Sequence, residues 1–349
     1  MLNETGLAFQ AGGYRLPSSR PSQQAPVAGE GASLATVPLA AWITGRFEDR
    51  GGGGASDLFL PKVELISGGT LGEDWSYFAE WRIVSWSLDS DGSILDRSGR
   101  FEDLFAQWQP AERHAFKVGQ YRALNQTDVS LRLSPSEPLL FNNGLPTGDH
   151  RGRRLAQLDR FSPASRSPSV GYAYQSIQGR RPGDGLFHHL TVPFVGELSI
   201  PLSSEASENA SFELADAKGV YAETFYRRGH RTAGAHAFYS DESWLLTALG
   251  TYRWQGLLLT AGLGVDDRSS QGSRRRESLA AEYLWTGSDR LRAAAGLRIE
   301  NVSDDGREVG FAPYFVVSGP NTQHTFLLQV EYQTQPAGDL LVIDLSLLF

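Results

Sequence analysis

Residues 341–349 read Leu-Val-Ile-Asp-Leu-Ser-Leu-Leu-Phe, and this stretch decides the fold that we predict for the chain. Its apolar side chains recur at every second position, at Leu341, Ile343, Leu345, Leu347 and Phe349. Because successive side chains of a β-strand point to opposite faces, these five share one face. The stretch therefore predicts a strand with one continuous apolar face, which has to lie in a core or in lipid.

The same alternation extends upstream through most of the chain after residue 36. Clusters of turn-forming residues separate the alternating segments. The predicted apolar faces comprise Tyr77, Ala79, Trp81 and Ile83; Trp244, Leu246, Ala248, Gly250 and Tyr252; Leu257, Leu259, Ala261, Leu263 and Val265; Leu279, Ala281, Tyr283 and Trp285; Leu291, Ala293, Ala295, Leu297 and Ile299; and His324, Phe326, Leu328, Val330 and Tyr332. With no helical pattern between the strands, we predict an all-β protein.

The connections between these segments are of two kinds, which alternate along the chain. Short connections are predicted at residues 69–74, 110–113, 254–256, 286–289 and 319–321. Longer polar connections are predicted at residues 49–56, 88–99, 266–275 and 301–307. Short turns on one rim and longer loops on the other are typical of outer-membrane β-barrels, and we count about sixteen strands between residues 37 and 349.

Alternation alone does not distinguish a membrane-spanning barrel from a soluble β-sandwich, so we use the composition to distinguish them. The mean hydropathy is -0.30, and no apolar run reaches the roughly 18 residues of a membrane helix. Barrel strands alternate apolar and polar residues, so a barrel keeps a hydrophilic average. Aromatic residues gather at the ends of the predicted strands, as they do at membrane interfaces: Trp75, Trp86, Trp108, Tyr121, Trp244, Tyr252, Trp254, Tyr283, Trp285 and Tyr332.

The last strand adds a second argument for the membrane. A terminal Phe349 preceded by four matching apolar positions resembles the C-terminal strand that the outer-membrane assembly machinery recognises. We therefore predict a transmembrane antiparallel β-barrel over residues 37–349, located in the bacterial outer membrane. Residues 1–36, rich in Gly, Pro, Ser and Gln, predict a flexible N-terminal extension without a signal-peptide pattern.

A barrel of this kind turns its apolar face to lipid and its polar face to the lumen. The polar side chains predicted inside are Glu80, Arg82, Asp103, Gln107, Lys117, Arg253, Glu282, Arg292, Arg298, Gln329, Glu331 and Asp344. About sixteen strands enclose a lumen wide enough for water. The expected function is therefore passive passage of small hydrophilic solutes or ions, with Glu80, Arg82 and Lys117 among the pore residues.

Six stretches of the sequence resemble the phosphate-selective porin O and P family. They are Phe59-Leu-Pro-Lys-Val-Glu-Leu65 with Gly68-Gly-Thr-Leu-Gly-Glu-Asp-Trp-Ser-Tyr77, then Phe101-Glu-Asp-Leu-Phe-Ala-Gln-Trp108, then His114-Ala-Phe-Lys-Val-Gly-Gln-Tyr121, and Ser134-Pro-Ser-Glu-Pro-Leu-Leu-Phe141 followed by Ser169-Val-Gly-Tyr-Ala-Tyr174. The resemblance, best over residues 59–174, implies a sixteen-stranded porin, often a homotrimer. It also implies that the third extracellular loop, matched here to residues 122–168, folds inward and constricts the pore.

The basic residues depart from that family. Only three of the 32 basic residues are lysines, so the lysine-rich lumen of a phosphate-selective member is missing. Residues 122–168 instead hold seven arginines against four acids: Arg122, Arg132, Arg151, Arg153, Arg154, Arg160 and Arg166 against Asp128, Glu137, Asp149 and Asp159. A surplus of positive charge in a constriction favours anions, whereas pairing with those acids or with lipopolysaccharide phosphates would cancel it.

The sequence contains no catalytic or metal-binding motif that we recognise, so we expect neither an enzyme nor a cofactor. It has no cysteine, and its net charge of -8 argues against nucleic acid as a partner. His188 and His189 are adjacent in a predicted strand, so they point to opposite faces and cannot share one metal ion.

The expected partners are outer-membrane lipid and lipopolysaccharide, together with further copies of the chain. An alternative function stays open, in which the barrel sheathes or anchors a periplasmic or extracellular protein such as a multihaem cytochrome. A hydrolase active at the barrel rim is a third hypothesis.

Overall fold

A computed structural model describes residues 39–50, 56–71, 74–88, 94–96, 98–123, 166–179, 184–194, 217–229, 231–241, 243–254, 257–268, 272–286, 292–304, 306–319, 325–334 and 340–348. The predicted N-terminal extension, residues 1–36, lies outside this part of the chain. Within the described residues, no helix is long and apolar enough to cross a membrane.

Sixteen antiparallel strands form one closed barrel. They are β1 (Leu39–Arg50), β2 (Ser56–Leu71), β3 (Trp75–Val84), β6 (Arg100–Ala111), β7 (His114–Arg122), β8 (Arg166–Gln178), β9 (Gly185–Pro193), β10 (Val220–Arg228), β11 (Arg231–Tyr239), β12 (Ser243–Trp254), β13 (Leu257–Arg268), β14 (Gly272–Thr286), β15 (Arg292–Asp304), β16 (Gly306–Ser318), β17 (Thr325–Gln333) and β18 (Leu340–Leu348). Strands β4 (Trp86–Leu88) and β5 (Ile94–Asp96) form a separate two-stranded sheet in the connection between β3 and β6. The predicted all-β barrel of about sixteen strands is confirmed.

Each barrel strand pairs with its neighbours in the sequence, and the ring closes where β1 pairs with β18. The start of β1 and the end of β18 lie on the same rim as the short connections at 72–74, 112–113 and 255–256. The opposite rim carries the longer connections, which include residues 123–165 and 194–219. The two unequal rims follow the layout of outer-membrane barrels.

Two of the connections that we predicted to be long are instead hairpin ends. Strand β13 continues to Arg268 and β14 begins at Gly272, while only residue 305 separates β15 from β16. The register of β13 and β14 continues as far as Arg268 opposite Gly272. Backbone pairing therefore continues where the apolar alternation stops, because the hydrogen bonds of the ladder need no apolar side chain.

The apolar faces predicted from alternation lie on the outside of the barrel. Leu246, Leu263 and Leu279 are exposed on the outer surface, and Leu345 is 48% exposed. Between the outward residues of β18, the side chains of Asp344 and Ser346 point inward and are buried. The terminal Phe349 lies outside the described residues.

Contacting aromatic rings form a band on part of the outer face, near the short-turn rim. Trp75 stacks on Trp108, and Trp108 stacks on Phe116, with ring centroids 6.1 and 5.7 Å apart. Phe116 then contacts Tyr172, at 5.1 Å. Amphipathic rings prefer the boundary between hydrocarbon and headgroups. The band, which we call the aromatic girdle, therefore marks the level at which the barrel would leave the hydrocarbon.

Candidate pore lining

Three cationic side chains extend from the inner wall formed by β1, β2 and β3. Arg46, Lys62 and Arg82 each leave about a quarter of the side chain exposed, 23%, 24% and 25% respectively. We call these three residues the cation row. Their strands are neighbours in the barrel, so the row occupies one sector of the inner wall.

Carboxylates behind the cation row hold each cation in place. Arg46 donates two hydrogen bonds of 2.6 Å, from Nε and Nη2, to the carboxylate of Asp344 on β18. Glu64 accepts a hydrogen bond of 2.9 Å from Lys62 Nζ and one of 3.1 Å from Arg82 Nε. Paired, charge-assisted bonds of this kind fix the direction of a guanidinium group. These bonds therefore fix the direction of the two guanidinium groups of the cation row.

The exposure of the two charge types differs in this sector. Glu48 and Glu64 are fully buried, and Glu102, which pairs with Arg82 at 2.9 Å, is only 17% exposed. Water in the lumen therefore meets the cations first. Summed over the row and its four carboxylates (Glu48, Glu64, Glu102 and Asp344), however, the formal charge is -1. This sector presents cationic contact groups without a surplus of positive charge.

The inner face of strands β6 to β11 is different, because it carries large aromatic rings. We call these rings the aromatic wall: Phe105, Tyr121, Phe187, Tyr221, Phe225 and Phe238. Each is at most 5% exposed. Phe187 and Phe225 stack with centroids 5.1 Å apart. Polar side chains point inward between these rings, among them the predicted Asp103, Gln107 and Lys117, but they are buried together with the rings, whereas the cation row is partly exposed.

Lys117 lies within the aromatic wall. Its Nζ is 4.9 Å from the ring centroid of Phe105 and 4.7 Å from that of Tyr121. The carboxyl groups of Asp103 and Glu223 are close enough to act on its charge. Only 8% of the residue is exposed. Lys117, predicted as a pore residue, is therefore part of the packed wall, where ring faces and carboxylates compensate its charge.

The chain leaves the barrel wall directly after β7. Ala123 packs in one buried cluster with Tyr221, Phe238 and Leu245 of strands β10, β11 and β12. Strands β8 and β9 lie between β7 and β10, and neighbouring strands are about 4.8 Å apart. Contact across that distance places Ala123 inside the barrel.

His188 and His189 point to opposite faces of β9, as predicted. On the outer face, His188 hydrogen-bonds through Nε2 to Ser176 Oγ at 2.7 Å and through Nδ1 to Thr224 Oγ1 at 3.1 Å. On the inner face, His189 Nδ1 lies 3.7 Å from Glu223 Oε2. In the part of the chain that the structure describes, no three His, Asp or Glu side chains are placed to hold a metal ion.

The structure describes only some of the other predicted pore residues. Glu80 lies opposite Asp103 on the inner wall, and the two carboxyl groups interact. Arg166 is the first residue of β8, opposite Arg122. The other predicted arginines, Arg132, Arg151, Arg153, Arg154 and Arg160, lie outside the described residues. The sequence pattern missed Arg46 and Lys62, because β1 and β2 alternate less clearly than the later strands.

No protein-family model and no curated protein matches the sequence. Solved structures do match the fold. OmpF of Salmonella typhi superposes with a TM-score of 0.58 at 14% identity, over 90% of this chain and 97% of that chain. An anion-selective porin from Comamonas acidovorans gives 0.56 at 8% identity, over 89% and 98%. OmpT of Vibrio cholerae gives 0.51 at 10% identity, over 90% and 97%.

These similarities are to outer-membrane proteins that are matched over 97–98% of their length. At such low identities they establish the fold, which is the closed β-barrel of outer-membrane porins. They support a porin barrel in general and not the phosphate-selective O and P type in particular.

Proposed function

We propose that the protein is an outer-membrane porin through which small hydrophilic solutes and ions diffuse passively. The observation that carries this proposal is the contrast between the two sides of the lumen. The cation row is partly exposed to solvent, whereas the aromatic wall is buried. A solute would therefore pass along the cation row, in an off-centre passage narrower than the barrel.

We further propose that residues 122–168 fold inward and form the narrow part of the pore. Ala123 supports this, because it packs on β10 to β12 from the interior. The burial of the aromatic wall supports it as well, since rings that face a water-filled lumen would be exposed. A segment that covers these rings leaves the cation row on the opposite side of the passage.

The proposed preference is for anions, and it is weak. Anions would contact Arg46, Lys62 and Arg82, but the carboxylates behind these cations leave that sector at a formal charge of -1. The arginines of residues 122–168 would have to supply the surplus. Phosphate selectivity has no support beyond the sequence resemblance to the O and P family.

Planar-bilayer recordings test the proposal. We expect stepwise ion conductance from the purified, folded protein, with a reversal potential shifted toward anions in a salt gradient. Replacing Arg151, Arg153 and Arg154 together by alanine should move that potential toward cations. A folded protein that does not conduct would refute the open pore. Co-purification of a stoichiometric partner protein would then favour the sheathing hypothesis, while a homotrimer in native mass spectra would agree with the porin.

A further inference from the structure

Two arginines lie directly opposite each other on the outer face, at the short-turn end of β10 and β11. Arg228 and Arg231 are register partners, and both are exposed. Like charges across a strand pair repel each other. Within the described ranges, neither forms an ion pair, whereas the inward-facing neighbour Arg227 has the carboxylate of Asp184 beside it. The arrangement leaves two positive charges that an external anion would stabilise.

Aromatic rings place this arginine pair at the level of the headgroups. The guanidinium of Arg231 lies over the ring of Tyr252, 4.9 Å from its centroid. Tyr226, Tyr252 and Trp254 are exposed on the same outer surface. Tyrosine and tryptophan rings mark the boundary of the hydrocarbon, and arginine binds phosphate through paired donors.

Above the arginine pair, toward the middle of the barrel, the outer face carries a group of neighbouring small residues. The side chains there are small, and we call them the alanine floor: Ala233, Ala235, Ala248, Gly250 and Ala261. They are neighbours, since Ala233 pairs with Gly250, Gly250 with Ala261, and Ala235 with Ala248.

Larger side chains border this floor. Tyr226 is 44% exposed on one side, and Leu246 and Leu263 are 54% and 58% exposed on the other. Ala233 follows Arg231 by two residues, which is about 7 Å along a strand. The floor therefore begins one step into the hydrocarbon from the paired cations. An acyl chain whose phosphate is bound by the arginine pair would therefore meet the floor.

We propose that the outer face of β10 to β13 binds an anionic phospholipid, with its phosphate on Arg228 and Arg231 and an acyl chain along the alanine floor. The site rests on the proposed membrane location of the barrel, but not on conduction. Charge complementarity selects an anionic headgroup, because the two arginines are outward and a zwitterionic lipid would add no net negative charge. A flat floor lets a chain make continuous dispersion contacts, which bulky side chains would interrupt.

Native mass spectrometry of the protein from phosphatidylglycerol and phosphatidylcholine nanodiscs tests this site. We expect the wild-type protein to retain phosphatidylglycerol and not phosphatidylcholine. The double variant Arg228→Gln/Arg231→Gln should lower the retained fraction at least tenfold. Arg227→Gln removes the same type of charge from the inner face, so it should retain the lipid. Ala235→Leu with Ala248→Leu fills the floor with residues common on this surface, and it should lower retention with both arginines present.

Three results would overturn the proposal. The first is equal retention of the two lipids, and the second is full retention by the double arginine variant. The third is a wild-type protein that retains no lipid, together with variants that lose a homotrimer, which would assign the surface to contacts between copies. The bilayer conductance of each variant distinguishes a failure of this lipid site from a failure of the proposed pore. Unchanged conductance with lost lipid supports the lipid site, while retained lipid without conductance refutes only the pore.

Discussion

Arginine substitutions along β18 should cost more the deeper they lie in the bilayer. Leu347, Leu345 and Ile343 all face outward, one, three and five residues from the end of the strand at Leu348. At about 3.4 Å per residue and a tilt of about 45°, Ile343 lies about 12 Å above that end. This is half of an apolar band about 25 Å tall. Ile343 is thus at the midplane and Leu347 is near the interface.

The expected costs follow from these depths. An arginine on the lipid face destabilises a barrel by about 2–4 kcal/mol at the midplane and by about 0–1 kcal/mol near the interface. Ile343→Arg should therefore lower the folding equilibrium constant roughly 30- to 700-fold, since each 1.4 kcal/mol is a factor of ten. Leu345→Arg should fall between it and Leu347→Arg.

Equilibrium denaturant titrations of the protein in lipid vesicles measure these differences. Thr260→Arg is the matched control, because Thr260 is on the inner face of β13 and partly exposed. It should cost less than Ile343→Arg. Asp344 and Ser346 are unsuitable controls, since Asp344 binds Arg46 and Ser346 Oγ lies 2.8 Å from Thr44 Oγ1. Equal losses at all three depths, or a larger loss for the control, would refute the lipid-facing assignment.

Three further outcomes test the interior. Arg46→Ala changes the formal charge of its sector from -1 to -2 and should shift the reversal potential toward cations, while Glu64→Gln should shift it toward anions; shifts of the same sign would contradict the charge balance. A Cβ on Gly296 would collide with the ring of Tyr314, so Gly296→Val should cost about 1–3 kcal/mol of unfolding free energy by overpacking. In the control Gly250→Ala, the added Cβ has no atom nearer than 3.7 Å, so the midpoint of thermal unfolding should stay unchanged. Replacing residues 126–163 by a short Gly/Ser linker should raise single-channel conductance, and an unchanged conductance would show that this segment does not limit the pore.

The barrel itself could be predicted from the sequence because its outer face has one simple requirement. Every outward residue meets the same apolar surroundings, so the period-two pattern repeats from Trp244 to Leu347. The even strand number and the unequal rims follow from the same pattern. Strand ends were less predictable, as at Asp266, because paired strands need no apolar residue once they leave the hydrocarbon.

The inner face could be predicted only in part, because its surroundings differ from sector to sector. Strand β10 carries Tyr221 and Phe225 inward with Glu223 between them, which reads as neither a polar nor an apolar face. Whether such a face meets water or packed chain depends on what enters the barrel, and that is a contact between residues distant in sequence. The exposure of Arg46 likewise depends on its partner Asp344, 298 positions away.

Closure between β1 and β18 has a consequence for how the barrel could enter a membrane. The first barrel strand hydrogen-bonds to the last one, from Trp42 opposite Leu348 to Arg50 opposite Leu340. A sheet that lacks this seam has two unpaired strand edges, and lipid cannot satisfy the N–H and C=O groups of either edge. A partly paired sheet is therefore costly in hydrocarbon, and we expect the strands to enter the membrane together with the closing of this seam.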